Sequence, residues 1–300
     1  MNAYIDIAPN VAEALATGVP VVALESTIIS HGFPYPANVE CAREAERVAR
    51  DAGAIPATVA VVSGRPTIGL TDEQIEHFGT SPGIAKASRR DIAMLAAREQ
   101  DGATTVAATM LIAAMAGIRV FATGGIGGVH RGAQETFDIS ADLVELSRTD
   151  VAVVCAGAKS VLDIGLTLEF LETHGVPVLG YRTDEFPAFY TRTSGFGVDA
   201  RVESAEEIAA FLRAKRALAL GGGAVIANPI PETYEMDPEM LGTVIQTALA
   251  ESDEQGFHGK DVTPFLLARI HALTGGASEE ANKQLVYSNV RLAAQVASAL

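Results

Sequence analysis

The sequence lacks what several large classes of protein need. It has no tryptophan, only two cysteines (Cys41 and Cys155), and a formal net charge of −15. That charge argues against nucleic acid or an anionic membrane surface as the main partner, and a phosphorylated substrate would need a local cationic pocket. Both cysteines lie in apolar contexts, which predicts reduced thiols in the core and a reducing compartment.

Long apolar runs and targeting signals are also missing. The longest apolar run, residues 105–118, is shorter than the roughly 20 residues that a membrane-spanning helix needs, so it predicts a buried helix. Residues 1–10 contain no basic region followed by an apolar stretch, which is unlike a secretory signal. We therefore expect a soluble, cytoplasmic protein with no membrane partner.

Lysine is scarce, with five lysines against seventeen arginines. Arginine keeps its proton in proteins, whereas lysine can lose its proton and act as a nucleophile. A lysine in a cramped loop is therefore a candidate for chemistry. Lys159 stands in such a loop, after the apolar run 151–156 and two small residues.

The sequence alternates between strand and helix patterns. Continuous apolar runs predict strands, and apolar residues spaced near 3.6 predict helices. The predicted strands are 19–25, 55–64, one that runs into a glycine loop within 118–128, then 151–156, 176–181 and 223–229. The predicted helices are 35–53, 72–78, one that follows a loop within 81–102, then 103–117, 160–174, 203–218, 237–254, 262–273 and 278–299. This alternation predicts a single α/β domain over 1–300, with a largely parallel sheet covered by helices on both faces.

Several polar positions follow the predicted strands: Glu25, the glycine-rich loop 123–131, Lys159 and Asn228. In parallel sheets ligands bind beyond the carboxyl ends of the strands, so we expect a site at this edge. Partial desolvation after an apolar strand raises the pKa of a carboxyl, which suits Glu25 as a general acid. The alternative is a cap or an ion-pair partner of the next element.

Lys159 also has two interpretations. It is either a nucleophile that attacks a sugar carbonyl carbon, kept neutral by burial or by a neighbouring cation such as Lys86, or an ion-pair partner of Asp163 on the following helix.

The segment 122–143 is rich in glycine and then polar. Its glycines allow close backbone approach to an anion, although it has neither the dinucleotide-binding fingerprint nor a Walker lysine. Asp138, Ser140 and Asp142 follow the glycines. They indicate either a divalent ion held by one aspartate and water, or an Asx-turn and a helix N-cap.

A cationic segment and a polar-aromatic loop complete the candidates. Lys86, Arg89 and Arg90 precede a predicted helix and could hold a phosphate, or they form a solvated charge cluster with Asp91. The loop 184–195 could cap a ligand or be an ordinary surface loop. The six histidines show no metal-ligand spacing, and no serine or cysteine triad is indicated.

Taken together, the motifs resemble the pseudouridine-5'-phosphate glycosidase family. The motifs include "ALESTIISHGFPYPAN", "KASRRD", "GATTVAATM", "FATGGIGGVHRGAQETFDISADL", "VVCAGAKSVLDIGLTLEFLET" and "ANPIPE". The resemblance runs from about residue 8 to the C-terminus. It implies an α/β homotrimer with a bound Mn²⁺. It also implies reversible cleavage of pseudouridine 5'-phosphate to uracil and ribose 5-phosphate, in pseudouridine catabolism.

The resemblance also implies roles for individual residues. Glu25 matches the family's proton donor, Lys159 its nucleophile and Asp138 its metal ligand. The positions that match substrate-binding residues are Lys86, Val106, Ser140, Ala141, Asp142 and Asn282. Lys283 and the acidic residues before Asn282 depart from the family's usual pattern there.

The implied mechanism is an opening of the ribose ring. Glu25 would protonate the ring oxygen, Lys159 would bond to C1', and the C1'–C5 bond would then break. No pair of carboxylates suited to simple glycoside hydrolysis stands out. Two alternatives stay open: a class I aldolase-like Schiff-base enzyme acting on another sugar phosphate, and a non-catalytic sensor of sugar phosphates or nucleotides.

Overall fold

Apolar strands form the middle layer of the structure, a computed structural model that describes residues 4–257 and 262–300. The strands are β1 (Asp6–Ile7), β2 (Val21–Leu24), β3 (Ile55–Val62), β4 (Arg65–Ile68), β5 (Ala85–Ala87), β6 (Gly102–Thr104), β7 (Val120–Ala122), β8 (Val129–His130), β9 (Ala152–Cys155), β10 (Leu162–Asp163), β11 (Val178–Tyr181), β12 (Ala200–Val202) and β13 (Ala224–Ala227).

The main sheet is largely parallel and has the order β1-β4-β3-β2-β7-β9-β13-β11-β12. From β3 to β12 every neighbouring pair along this path is parallel, with registers such as Ala23↔Phe121 and Val153↔Val225. β4 and β6 pair antiparallel with β3, and β5 joins the sheet through β6. Strands β2, β9 and β13 are buried along their whole length, as strands covered on both faces must be.

Helices cover both faces of this sheet. They are α1 (Pro9–Thr17), α2 (Thr27–His31), α3 (Ala37–Asp51), α4 (Asp72–Thr80), α5 (Ile92–Arg98), α6 (Val106–Met115), α7 (Ala133–Thr136), α8 (Ala141–Arg148), α9 (Ile164–Thr173), α10 (Ala205–Ala217), α11 (Pro238–Glu254), α12 (Val262–Leu273) and α13 (Ala277–Ala299). α13 packs with α3 and α10 against β2, β7 and β9, and α6 packs with α8 and against β2, β3, β4 and β7. The predicted fold class is confirmed.

Two local predictions are wrong. The predicted helix 160–174 begins only at Ile164, because Leu162 and Asp163 form β10, which pairs with β8 in a small second sheet. Lys86, predicted in a loop, lies on β5, which pairs with β6. In the part of the chain that the structure describes, no helix combines the length and apolarity needed to cross a membrane.

Candidate active site

Four parallel strands deliver polar residues to one edge of the sheet. Glu25 directly follows β2, Thr123 follows β7 and Asn228 follows β13, while Lys159 lies four residues beyond the end of β9. β2, β7, β9 and β13 are neighbours in the sheet, so their carboxyl ends meet. A cleft at this edge is lined by Glu25, Thr27, Ile28, His31, Gly32, Lys86, Gly124, Gly125, Lys159, Phe189, Pro264, Leu267 and Asn282.

The cleft therefore brings together residues predicted from five separate motifs. Glu25, Lys86, Lys159 and Asn282 all line it. Phe189, from the loop 184–195 predicted to cap a ligand, lines it as well. Asn228 does not line the cleft; its amide is directed to Asn289 instead.

Glu25 has the environment of a proton donor. Its pKa is raised, mainly because burial disfavours the charged form, while the positive charge of Lys159 and a hydrogen bond from Thr123 oppose the rise. The Thr123 hydroxyl donates that bond to Oε1 of Glu25. The alternative of a helix cap is not realised, since Glu25 precedes the N-cap residue Ser26 of α2 and the Glu25 carboxylate accepts from Thr123.

Lys159 is held by its backbone and not by its side chain. Its N–H donates to the carbonyl of Ile126 at 3.1 Å, and its own carbonyl accepts from Leu162 at 3.0 Å. Within residues 4–257 and 262–300 its ammonium group makes no hydrogen bond or ion pair. Asp163 is the N-cap of α9 and accepts from Leu166 at 2.9 Å, so the alternative of an ion pair between Lys159 and Asp163 is not realised.

Gly157 makes the tight turn before Lys159 possible. Its φ is +85°, a conformation that favours glycine, and a Cβ at this position would overlap the carbonyl oxygen of Pro187. Gly125 lies in similarly close packing, because a Cβ added at this position would lie 2.6 Å from the ring of Phe189. The small residues around Lys159 thus let the loop that follows β9 pack closely against residues 186–189.

Of the three neighbouring cations predicted to hold a phosphate, only Lys86 reaches the cleft. Arg89 forms a bidentate pair with the buried Glu145 on α8, with one N–O distance of 2.7 Å. Arg90 is exposed and lies 3.8 Å from Asp91, which agrees with the solvated-cluster alternative. Arg89 therefore anchors the segment that carries Lys86 to helix α8.

Asp142 and Ser140 lie behind the glycine-rich loop. The buried Asp142 accepts hydrogen bonds at 2.9 Å from the backbone N–H groups of Ala107 and Gly127, and Ser140 is the N-cap of α8. Asp142 therefore fixes the glycine-rich loop to the start of α6. Val106 and Ala141 are the first residues of α6 and α8 and, like Ser140 and Asp142, do not line the cleft. Substrate contacts of these four residues stay predictions.

Asp138 is half-buried and does not line the cleft, and its carboxylate lies 3.8 Å from Nδ1 of His130. Burial lowers the pKa of His130; Asp138 opposes this effect, and Lys86 and Lys159 add to it. The charges of Asp138, Lys86 and Lys159 therefore all act on the imidazole of His130. Among the described residues no group of three or more His, Cys, Asp or Glu side chains could hold a metal ion. Metal binding by Asp138 stays a prediction.

Thr123 and Asn289 extend the hydrogen bonding around Glu25, and neither was named as an individual candidate from the sequence. Thr123 is buried and bonded to Glu25, but in the sequence it is one threonine beside a run of glycines. Asn289 is fully buried on α13 and donates to the carbonyl of Thr123 at 2.8 Å. An asparagine at an inward position of an apolar helix was a signal that could have drawn attention to Asn289.

Comparisons with known proteins agree over the whole chain. The family model for indigoidine synthase A like protein matches residues 10–299. The pseudouridine-5'-phosphate glycosidase of Hahella chejuensis is 61% identical over 299 residues, which cover 99% of each chain. The enzyme of the same name from Geobacillus kaustophilus is 58% identical over 300 residues, the full length of both chains.

Solved structures share the fold. The prealnumycin C-glycosynthase AlnA, in complex with ribulose 5-phosphate, superposes with a TM-score of 0.92 at 40% identity, covering 100% of this chain and 98% of the other. An indigoidine synthase A-like protein from Thermotoga maritima superposes with a TM-score of 0.90 at 34% identity, covering 99% of this chain and 97% of the other.

Proposed function

The chain belongs to the family of indigoidine synthase A-like proteins and pseudouridine-5'-phosphate glycosidases, and we propose that it reversibly cleaves the carbon–carbon glycosidic bond of pseudouridine 5'-phosphate. The products are uracil and ribose 5-phosphate. The observation that carries the proposal is the cleft in which Glu25, with its raised pKa, lies beside Lys159, whose ammonium makes no hydrogen bond in the described chain.

The chemistry begins with opening of the ribose ring. Glu25 gives its proton to the ring oxygen, which takes the electron pair of the C1'–O4' bond, while the lone pair of neutral Lys159 Nζ bonds to C1'. The nitrogen, after losing a proton, then pushes its lone pair into a C=N bond. The electron pair of the C1'–C5 bond moves to C5 of uracil, which takes a proton. Water hydrolyses the iminium to ribose 5-phosphate and regenerates Lys159.

The surroundings of Lys159 support this sequence of steps. A carbon leaving group needs an electron sink, and an iminium formed by lysine supplies one where an arginine could not. Lys86 gives the cleft a local positive charge within a chain of net charge −15, which suits a phosphorylated substrate. The C-glycosynthase among the solved neighbours supports a reversible carbon–carbon step.

The proposed metal is Mn²⁺ at Asp138. When bound, the cation supplies positive charge that screens the substrate phosphate, and the chain contributes the Asp138 carboxylate. Titration of Mn²⁺ followed by electron paramagnetic resonance should show binding to the wild type and at least tenfold weaker binding to Asp138→Asn. Equal binding by the two proteins would refute the assignment. The homotrimer, the cytoplasmic location and the role in pseudouridine catabolism stay predictions.

A product assay tests the proposed activity. Wild-type protein incubated with pseudouridine 5'-phosphate and Mn²⁺ should release free uracil, and folded protein that releases none would refute the proposal. Borohydride added with ribose 5-phosphate should leave the reduced sugar phosphate on the peptide that contains Lys159. An aldolase-like enzyme would also be trapped, but it would release no uracil. A sensor would bind the nucleotide without turnover.

A further inference from the structure

The loops that carry the two reacting groups are joined to each other beyond the ends of their strands. Thr123 N–H donates to the carbonyl of Val154, and Ala156 N–H donates to the carbonyl of Gly124. Ile126 then donates to the carbonyl of Gly157, and Lys159 donates back to the carbonyl of Ile126. The β7–β9 pairing thus continues as far as Lys159, so a shift of residues 123–126 would move the nucleophile too.

Asn289 binds the first residues of this junction from the C-terminal helix. Its Nδ2 donates to the carbonyls of Thr123 at 2.8 Å and Gly124 at 3.3 Å. Its Oδ1 accepts from Nδ2 of Asn228 at 2.9 Å, and Asn228 also donates to Ser288. Asn289 is fully buried, a position where a polar side chain is unfavourable unless it is hydrogen-bonded.

Sheet pairing takes the N–H of Thr123 and the carbonyl of Gly124, whereas the carbonyl of Thr123 accepts from the Asn289 amide. The Gly124 carbonyl already accepts from Ala156, and the N–H of Thr123 is paired with Val154. Asn289 instead fixes the residue whose hydroxyl donates to Glu25. From this geometry we propose that Asn289 is a positioning residue that acts through Thr123 to align Glu25 for proton donation. The inference rests on the proposed function of the same cleft.

Thr123 selects the acidic oxygen of Glu25. Because the hydroxyl donates to Oε1, the proton that Glu25 gives to the substrate is carried by Oε2. The same bond favours the charged form and so opposes the burial that raises the pKa of Glu25. Loss of the bond therefore makes Glu25 a weaker and misaligned acid, and the pKa of Glu25 rises further.

None of the variants replaces another charged or titratable side chain near Glu25. The charged or titratable side chains near it are Lys86, Asp142 and Lys159, together with His31 and Cys41, which line cavities that also contain Glu25. Burial raises the pKa of the Cys41 thiol to about 12, so this group stays neutral in the pH range of the assay. A shift in the pH profile is then assigned to the bond between Thr123 and Glu25.

The test is a double-mutant cycle on uracil release. Asn289→Leu removes the amide at similar volume, and Thr123→Val removes the hydroxyl at similar volume. Each should lower kcat roughly 10- to 100-fold with KM changed only a few-fold, and move the alkaline limb of the kcat profile to higher pH. Both substitutions act through the hydrogen bond from Thr123 to Glu25. The double variant should therefore be no slower than the slower single variant. Thr123→Ser, which keeps the hydroxyl, should recover most of kcat.

Several outcomes would overturn the inference. A folded Asn289→Leu variant with wild-type kcat and an unmoved alkaline limb would do so, and so would losses that multiply in the double variant. If Asn289→Leu does not fold, Asn228→Ala removes the group that orients Asn289. Asn228→Ala should then move the alkaline limb of the kcat profile to higher pH, by less than the shift expected for Asn289→Leu. An unmoved limb would refute the inference.

A readout without turnover separates this inference from the proposed function. Carboxyl carbon-13 NMR of glutamate-labelled protein, assigned with Glu25→Gln, should show Glu25 titrating at higher pH in Asn289→Leu than in the wild type. If the wild type releases no uracil, the proposed function fails, while the titration still tests the link from Asn289 to Glu25. Identical titrations would refute that link.

Discussion

Lys215 and Lys159 lie at opposite ends of the parallel sheet, and the structure uses the two lysines differently. At the amino end, Lys215 on α10 is buried, and its ammonium donates to the carbonyls of Gly221 and Gly222 just before β13. Burial lowers the pKa of Lys215, and Asp150 opposes that effect. At the carboxyl end, the Lys159 ammonium makes no such bond within the described chain.

The difference follows from where the backbone groups find partners. At the amino end the carbonyls of a glycine turn point at Lys215, so the three donors of its ammonium satisfy them. At the carboxyl end the loops after β7 and β9 pair their N–H and C=O groups with each other. Among residues 4–257 and 262–300, no carbonyl accepts a hydrogen bond from the Lys159 side chain.

Removing the carboxyl-end lysine should have the largest effect. Lys159→Ala removes the proposed nucleophile, so uracil release should fall by at least about a thousandfold, while the melting temperature changes little. Borohydride trapping with ribose 5-phosphate should disappear with it. Lys159→Arg is the matched control for charge, and it should not recover activity because a guanidinium keeps its proton. Activity in either variant near that of the wild type would contradict the assignment.

Glu25→Gln should have the second-largest effect, a loss of roughly 10²- to 10⁴-fold in kcat. The glutamine keeps the size and can still accept from Thr123, so the loss reports the missing proton. In the wild type the rate should fall as pH rises through the raised pKa of Glu25, because only the protonated form donates. A kcat profile of Glu25→Gln that keeps this alkaline limb would contradict the prediction.

Glu25 should also make the wild type less stable at neutral pH. The pKa of its carboxyl is higher in the folded than in the unfolded protein, so the folded state binds the proton more tightly. Its contribution to stability is fully present below the unfolded pKa and is lost as pH rises through the folded pKa. Glu25→Gln should therefore melt at a higher temperature than the wild type at pH 7 and at the same temperature in acid.

Gly157→Ala should have a smaller effect on activity. The added Cβ meets both the positive φ and the carbonyl of Pro187, so the turn before Lys159 must shift, and kcat should fall roughly 10- to 100-fold. Gly221→Ala at the amino end is the matched control. Its φ is +66° but no atom lies within 4 Å, so it should lose about 1–2 kcal/mol of stability and no kcat per folded molecule. Equal kcat losses in the two variants would show that backbone strain alone, and not the position, matters.

The order of elements and the strand-end residues were predictable from the sequence, because both depend on local patterns. A continuous apolar run places Glu25 at the end of β2 wherever β2 lies in the sheet. The lysine-poor composition and the small residues before Lys159 likewise marked a site before any contact was known.

Partners distant in the chain could not be predicted. Arg89 is paired with Glu145, 56 residues away, and Asn289 with Thr123, 166 residues away, so a charge or an amide in the sequence did not reveal its use. The alternative of an ion pair between Lys159 and Asp163 is not realised for the same reason. β8 converts Leu162 and Asp163 into a strand, which leaves Asp163 to cap α9.

The smallest effect on catalysis should come from the amino-end lysine. Lys215→Met keeps the length of the buried side chain but leaves the carbonyls of Gly221 and Gly222 without their donor, so the free energy of unfolding should fall by about 1–3 kcal/mol. The values of kcat and KM, measured per folded molecule at a temperature well below melting, should match those of the wild type. Because Lys215 and Lys159 lie at opposite ends of the sheet, the stability loss and the catalytic loss should stay separate. A large drop in kcat for folded Lys215→Met would mean that the two ends are coupled through the sheet, and the contrast between a structural and a catalytic lysine would not hold.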